Sequence, residues 1–401
     1  MMNEARAAME ASGGNLARAA LALGISRSTL QGRLAKAKAK EKSSNHPIGL
    51  RSDPEDSTFL KSRIKRLEIQ LVEAEKQRLD HEMIKRRIIG LTQNVETAET
   101  PEWLFEKCKK TTSPGVPTLL VSDLHWGEVV DPTQINGVNK YDLNIAHERL
   151  ERLAERTIRL LSIISPTFDY PGLVMPFAGD MISGNIHDEL VATNELSSVP
   201  AVLDLFGALG SLIKTFLLRF DRIFIPCVTG NHGRDTKKIW SKDRHTTSFD
   251  WLLYCFLAKH FADDKRVSFL IPNGTDAYYK VFDHRYLLTH LDQFRGGDSM
   301  IGALGPIIRG DHKKRSRNSQ IDMPYDTMIG GHWHQYIHLN RLIVNSSLKG
   351  YDEYAFQGNF PFEIPQQALW LNHPKHSITF RMPVQVEKIS STKSSPWVSV
   401  K

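Results

Sequence analysis

Five short apolar runs between residues 118 and 334 each end in side chains that can bind a metal ion. The runs are rich in Val, Ile and Leu, as buried strands are, and longer helical patterns separate them. Open α/β sheets keep their functional residues beyond the carboxyl ends of the strands. The order therefore predicts an α/β fold in which these side chains meet. The blocks are Asp123 with His125, Gly179-Asp180, Gly230-Asn231-His232, His290, and Gly331-His332-Trp333-His334.

The donor atoms in these blocks indicate which metals they suit. Two carboxylates, one amide oxygen and four imidazoles, without a thiolate, favour borderline divalent ions such as Mn, Fe, Zn or Ni. If two ions share these ligands, one residue must bridge them, and the two oxygens of Asp180 allow that. Two ions about 3.5–4 Å apart would clamp a phosphate group and acidify a water between them. The alternative is a set of unrelated core histidines.

In this order the blocks D-x-H, G-D, G-N-H, H and G-H-x-H resemble the signature of the calcineurin-like metallophosphoesterases. The resemblance spans residues 117–386 and implies a four-layer α/β/β/α sandwich. It implies one metal ion on Asp123, His125 and His334. It implies a second ion on Asn231, His290 and His332, with Asp180 bridging the two. It also implies that His232 points at the phosphate, where it donates to the leaving oxygen or stabilises the transition state.

Two positions depart from the phosphoprotein phosphatases of that superfamily. Gly233 stands where an acidic residue follows the G-N-H block. Ser183 stands where those enzymes have the carboxylate that orients the catalytic histidine. These departures argue against a phosphoprotein substrate. They leave open which group orients His232, and Asp235 is a candidate.

Two further segments, interpreted as loops, predict substrate contacts. In residues 185–189, His187 could reach the substrate. In residues 309–317, Lys313 and Arg315 could bind a polyphosphate backbone. Arg234, with three lysines just after it, also favours a polyanionic substrate. The alternatives are a surface histidine and a solvated loop.

The N-terminal quarter carries the whole formal charge excess. Residues 1–91 contain 18 Lys and Arg against 11 Asp and Glu, whereas residues 92–401 contain 34 of each kind. A basic segment on a neutral remainder indicates an anionic partner, and nucleic acid is the commonest. A solvated helical face is the alternative.

Residues 1–42 have the layout of a helix-turn-helix. An apolar stripe at helical spacing is followed by Gly24, which can end a helix, and by Ser26, which can cap the next one. Residues 14–30 resemble the Fis-type DNA-binding helix-turn-helix, with a small helical hairpin for assembly as the alternative. The resemblance implies DNA as a partner. The candidate contacts are Arg27, Ser28, Gln31, Arg33 and Lys36.

Residues 43–57 are predicted to form a polar linker, and residues 58–91 an amphipathic helix. Apolar residues recur there at alternating four- and three-residue steps from Leu60 to Ala74, which predicts a short coiled coil and a homodimer. A single helix lying on the main domain is the alternative. Residues 92–116 are predicted to form a second linker, and residues 387–401 a polar tail.

The sequence predicts no membrane partner and a cytoplasmic location. The longest apolar stretch, residues 199–218, is broken by Asp204 and Lys214, and the N-terminal residues lack a signal pattern. Three scattered cysteines, Cys108, Cys227 and Cys255, fit a reducing compartment. By analogy with phage and prophage accessory enzymes, that compartment is a bacterial host cell if the chain is phage-encoded.

These features predict a dinuclear-metal phosphodiesterase, broadly similar to the SbcD-type repair exonucleases. Manganese is the favoured metal, DNA the favoured substrate, and hydroxide held between the ions the nucleophile. One alternative is a small-molecule phosphomonoesterase or nucleotide phosphodiesterase that the helix-turn-helix only localises. Another is a non-catalytic DNA-binding regulator with a degenerate esterase fold, which the complete set of predicted ligands disfavours.

Overall fold

The computed structural model describes residues 8–9, 11–32, 34, 100–104, 113–296 and 302–388. The chain divides into two compact units, Met1–Ile84 and Lys85–Lys401. The predicted linker 43–57, the coiled coil 58–91, most of the linker 92–116 and most of the tail lie outside the described residues. Arg33, Lys36 and Cys108 lie outside them as well.

The N-terminal unit has the predicted helix-turn-helix layout. Helix α1 spans Leu16–Ala22 and a second helix, α2, covers residues 27–32. Gly24 lies between them with a φ of +63°, and the Ser26 hydroxyl caps α2 by accepting from the Thr29 N–H at 3.2 Å. The side chains of Ala19, Ala20 and Leu30 are buried between the helices. The apolar stripe in the sequence therefore forms the core of this unit.

The C-terminal unit is built on two mixed β-sheets. The first sheet has the strand order β11-β10-β1-β2-β3-β4, in which β1 to β4 are parallel and β10 runs antiparallel to β1. The second has the order β5-β6-β7-β9-β8, in which β6, β7 and β9 are parallel. The strands are β1 Val116–Leu119, β2 Leu173–Val174, β3 Ile223–Pro226, β4 Val267–Leu270, β5 Asp276–Val281, β6 His284–Thr289, β7 Thr327–Gly330, β8 Ile337–Leu339, β9 Leu342–Val344, β10 Gln366–His373 and β11 Ser377–Gln385.

Six α-helices complete this unit within its described residues. They are α3 Leu143–Ile164, α4 Asp188–Thr193, α5 Ser198–Leu217, α6 Phe249–His260, α7 Leu304–Gln320 and α8 Glu353–Gln357.

Alternation of side chains along the strands sorts the core into three apolar layers. Ile223 and Ile225 of β3 pack with side chains of α3, α5 and α6, whereas Phe224 packs against the second sheet. In β6, Leu288 faces the first sheet and Leu287 packs with α7. Successive residues of a strand point to opposite faces, so each strand contributes to two layers. The result is the four-layer α/β/β/α sandwich predicted from the sequence.

All five apolar runs of the sequence form strands. The strand β2 is shorter than its run of residues 173–178, because Pro176 has no N–H to donate and interrupts the regular pairing. Pairing resumes at Phe177, whose N–H donates to the Pro226 carbonyl at 2.8 Å. The predicted loop at residues 309–317 is wrong, since these residues lie within α7. Lys314 of that helix is buried and donates to Asp276 at 2.6 Å, so the basic stretch partly serves to attach α7 to the second sheet.

Among the described residues, one helix, α5, is long and apolar enough to cross a membrane by length and composition. Its side chains Val202, Leu205 and Leu209 are buried in the layer between the first sheet and the outer helices. Core packing therefore accounts for its composition.

Candidate metal centre

The five blocks, which are far apart in the sequence, form a single cluster of side chains beyond the carboxyl ends of β1, β2, β3, β6 and β7. Three groups have ligand atoms within 4.8 Å of one another. His125 and Asp180 each belong to two groups, so the three groups are continuous. The groups are Asp123/His125/His334, Asp180/His290/His332 and His125/Asp180/His232.

The first group brings two imidazoles to one carboxylate. The Nε2 atoms of His125 and His334 are 3.0 Å apart, and His334 Nε2 lies 3.5 Å from Asp123 Oδ1. Asp123 is fully buried and accepts from the His332 backbone N–H at 2.9 Å and from the Ser122 hydroxyl. These contacts fix the carboxylate while its oxygen faces the histidine nitrogens.

The second group is centred on Asp180 and His290. His290 Nε2 lies 2.9 Å from Asp180 Oδ2 and 3.1 Å from Asn231 Oδ1. The opposite ring nitrogen, Nδ1, donates to the Ala178 carbonyl at 2.7 Å. That hydrogen bond fixes the ring so that Nε2 is directed at the oxygen ligands. The His332 ring completes the group, with its centroid 5.1 Å from that of His290.

The backbone is strained at the predicted ligands themselves. Left-handed conformations of non-glycine residues cost about 1–3 kcal/mol each and persist where the surrounding structure enforces them. Five of the seven predicted ligands have a positive φ, and this concentration indicates a binding site rather than an ordinary core. They are Asp123 at +53°, His125 at +48°, Asp180 at +52°, His332 at +71° and His334 at +53°.

Two glycines of the motifs are required by the close approach of the carboxylates. A Cβ atom on Gly230 would lie 2.1 Å from Asp180 Oδ1. A Cβ atom on Gly331 would lie 2.1 Å from Asp123 Oδ2. Any larger residue at either position would displace a carboxylate, which explains why glycine precedes the N-H and H-x-H blocks.

His232 is oriented by the backbone. Its Nδ1 donates to the Ser183 carbonyl at 2.9 Å, and its backbone N–H donates to Asp180 Oδ1 at 2.7 Å. The Ser183 carbonyl thus orients His232, a role for which Asp235 was the candidate from the sequence. Burial lowers the pKa of His232 to about 3, despite the opposing charge of Asp180. The ring is therefore neutral at pH 7 in the protein alone.

A buried charge network behind His125 was not predicted from the sequence. His125 Nδ1 lies 3.3 Å from Glu128 Oε2, and Glu128 Oε1 accepts from Lys349 Nζ at 2.7 Å. Lys349 also donates to Asp352 at 2.5 Å. A carboxylate behind a ligating histidine fixes its ring and raises its basicity. Glu128 and Lys349 are more than 200 residues apart in the sequence. Only the spacing of Glu128 three residues after His125 could therefore have suggested the role of Glu128.

Asp250, at the start of α6, is a second buried carboxylate missed by sequence reasoning. It accepts from the backbone N–H groups of Asp180 at 3.1 Å, Met181 at 3.2 Å and Gly230 at 2.9 Å. It therefore ties the loop after β2 to the loop after β3. Burial, together with the charge of Asp180, raises the pKa of Asp250 to about 6.

The predicted substrate contacts have different surroundings. His187 is exposed just before α4, with its ring centroid 6.3 Å from that of His232. Lys313 is exposed on α7. Arg234 donates to three backbone carbonyls of its own loop. Arg315 donates to the Asp311 carboxylate and to three carbonyls beyond α7. Both guanidinium groups thus already form hydrogen bonds within the fold.

The donor set fits divalent metal ions. Within the described residues, the ion-pair partners of Asp123 and Asp180 are histidines. Buried carboxylates are costly unless a cation compensates them. Oxygen and imidazole ligands converging on such carboxylates meet the chemical preference of Mn, Fe, Zn and similar ions.

The His290–Asp180 pair makes the stability of the metal-free protein depend on pH. Burial disfavours protonated His290, but the charge and hydrogen bond of Asp180 outweigh it and raise the pKa of His290 to about 10. A raised folded-state pKa stabilises fully below the ordinary histidine pKa of about 6.5, and this contribution is lost as the pH rises through about 10.

We expect the free energy of unfolding of the metal-free wild type, relative to His290→Gln, to fall between pH 7 and pH 10. Urea denaturation in EDTA measures it. A divalent metal should reverse the trend, because it binds the neutral imidazole. A difference that is independent of pH would contradict the ion pair.

Replacement of Asp250 by alanine should destabilise the protein and impair metal binding. Three buried N–H groups would lose their acceptor, so the free energy of unfolding should fall by at least about 2 kcal/mol. Metal content should also fall, because Asp180 and Gly230 lose their common anchor. Asp264→Ala is the matched control, since Asp264 pairs with Arg266 at the surface. Equal effects of the two substitutions would refute the anchoring role.

Comparison with known proteins identifies the N-terminal segment. Residues 6–36 match the model of the bacterial regulatory protein family of the Fis type. No curated protein sequence matches the chain significantly.

Three solved structures are similar to this chain at low sequence identity. A dimetal phosphatase from Danio rerio is 11% identical, with a TM-score of 0.33 and coverage of 69% of this chain and 100% of that chain. The sulfate thiohydrolase SoxB from Thermus thermophilus is 10% identical, with a TM-score of 0.28 and coverage of 70% and 59%. A Vps29 mutant from Entamoeba histolytica is 11% identical, with a TM-score of 0.27 and coverage of 67% and 98%.

At these identities and TM-scores, no function passes from those proteins to this one. The chain's own structure has the five motif blocks in order, the two-sheet sandwich and the convergence of the motif side chains. The resemblance to the calcineurin-like metallophosphoesterases is thereby confirmed for the fold, and a Fis-type helix-turn-helix precedes it in the chain.

Proposed function

We propose that this protein is a metal-dependent phosphoester hydrolase with two divalent ions, manganese being favoured. The observation that supports this most directly is the continuity of the ligand groups through the buried carboxylate of Asp180. A bridging ligand of that kind lets two ions act on one phosphate group. The proposed ligands are Asp123, His125 and His334 for one ion, Asn231, His290 and His332 for the other, and Asp180 for both.

The bound ions would supply Lewis acidity toward a phosphoryl oxygen and would lower the pKa of a water molecule. The chain's own residues hold the ligands and move the proton. The hydrogen bond from His232 Nδ1 to the Ser183 carbonyl leaves Nε2 free to contact a phosphate oxygen. A phosphate anion beside this neutral ring favours its protonated form, and that form can donate to the leaving oxygen.

DNA is the proposed substrate class. The Fis-type match and the exposed Arg27, Ser28 and Gln31 on α2 support a duplex-binding segment at the N-terminus. The charge excess of residues 1–91 agrees with it. A homodimer through residues 58–91 would pair two such segments, as two-fold DNA-binding proteins require.

A smaller phosphoester is the second candidate substrate. The internal hydrogen bonds of Arg234 and Arg315 favour it, because they reduce the free positive charge that this unit offers to a polymer backbone. In that case the helix-turn-helix would only localise the enzyme.

Cleavage of linear double- and single-stranded DNA in Mn²⁺ tests the leading proposal. We expect the wild type to cleave it, and Asp180→Ala to lose more than about 100-fold in rate, because even outer-shell partners of metal ligands are worth 10- to 100-fold. Asp283→Ala, a change in the exposed turn between β5 and β6, is the matched control. Intact DNA with bis-p-nitrophenyl phosphate still hydrolysed would favour the smaller substrate. Failure to hydrolyse either would refute the enzyme.

His232→Gln should retain metal and lose turnover. General acid catalysis by a positioned side chain contributes about 10²- to 10⁴-fold, and we expect a loss in that range in kcat. Metal content by elemental analysis gives the second readout. Loss of metal together with activity would make His232 a ligand, as its group with His125 and Asp180 permits.

A further inference from the structure

A narrow cleft adjoins the proposed metal ligand Asn231. The loop after β3 returns to the start of α6 around it. Its lining includes Arg234, Ile239, Trp240, Arg244 and Ser248. A substrate group that extends from a phosphate at the metal ligands would therefore reach the rim of this cleft.

The walls of the cleft are fixed by ionic and backbone contacts. Arg244 forms an ion pair with the buried Asp292 at 2.9 Å and donates to the Gly230 carbonyl at 3.0 Å. Arg234 donates to the Asn231 carbonyl at 2.5 Å. Both guanidinium groups are spent on the loop, so they shape the cleft and contribute positive potential rather than free bidentate contacts.

The rim of the cleft carries an exposed aromatic side chain. Trp240 is 54% exposed and Ile239 is 39% exposed, although large apolar side chains are usually buried. Lys237, Lys238 and Lys242 are exposed in the same loop. An exposed aromatic ring among cations is the composition of a stacking platform for single-stranded nucleic acid.

We infer that the rim of this cleft is a nucleobase subsite, in which one base stacks on Trp240 while its phosphate lies at the metal ligands. The inference rests on the proposed function for the position of the phosphate. It deepens that function by making the substrate a nucleotide unit with an unpaired base. A nucleotide offers a π-face to Trp240 and negative charge to the exposed lysines of the same loop. A phosphoester without an aromatic group would leave the exposed ring unused.

Binding of short phosphorothioate oligonucleotides in Mn²⁺ tests the subsite with the metal ligands loaded, because phosphorothioate linkages resist hydrolysis. The probe is a fluorescently labelled single-stranded tetramer of deoxyadenylate, too short for a helix that reads duplex DNA, and its twin is an abasic tetramer. With the full chain we expect Trp240→Ala to weaken binding of the adenylate tetramer by about 5- to 150-fold, the measured range for one stacked base. The abasic tetramer should bind wild type and Trp240→Ala alike.

Two control variants separate stacking from folding. Trp240→Phe should keep most of the affinity for the adenylate tetramer, because a phenyl ring still stacks. Phe380→Ala removes an aromatic side chain, 58% exposed, from β11 and should change neither tetramer. Equal weakening of both tetramers by Trp240→Ala would make Trp240 a structural residue of the loop and overturn the subsite. An unchanged affinity for the adenylate tetramer would overturn it as well.

The outcome does not depend on catalysis. Base-dependent binding through Trp240 in a protein that hydrolyses no phosphoester would refute the enzyme and leave the base subsite intact. Hydrolysis of DNA without base-dependent binding would do the reverse.

Discussion

The burial of Asp180 is the constraint on which the rest of the candidate site depends. This carboxylate is 1% exposed, and a charge removed from water must be compensated where it lies. His290 and the backbone N–H of His232 supply part of the compensation, and a divalent cation would supply the rest. Asp250 accepts hydrogen bonds from the surrounding backbone, and Gly230 leaves room for the Asp180 carboxylate. A single buried charge thus explains the residue types of two motif blocks and the first turn of α6.

The fold and the ligand positions follow from the sequence because both depend on short-range patterns. A run such as 223–228 alternates its side chains between two apolar layers, and the chain then turns at the sheet edge with the block Gly230-Asn231-His232. When such runs form parallel strands, the blocks that follow them meet at one edge of the sheet. This can be predicted without predicting the loops between the strands. The four-layer sandwich and the meeting of the ligands were predictable for this reason.

The supporting contacts were not predictable, because they are set by distances across the fold. The Ser183 carbonyl that orients His232 is a backbone group, so its role cannot be inferred from the type of residue. Lys349 reaches Glu128 across more than 200 residues. The basic stretch of residues 309–317 was predicted to be a loop, but it lies within α7. Lys314 instead satisfies its charge inside the fold, on Asp276, so the helix can present apolar Ile307 to the second sheet.

These contacts show how the fold uses the basic residues of 92–401, which are equal in number to the acidic ones. Arg149, Lys314 and Lys349 are buried, and their donors are spent on carboxylates or carbonyl groups of the fold. Positive charge engaged in this way holds the unit together but releases few counterions on contact with a polyanion. The formal charge excess lies in residues 1–91, so the proposed DNA binding would owe its salt dependence mainly to that segment. Under the proposed function, the metal ligands would act on the phosphate and Trp240 on the base of a nucleic acid that the N-terminal segment also binds.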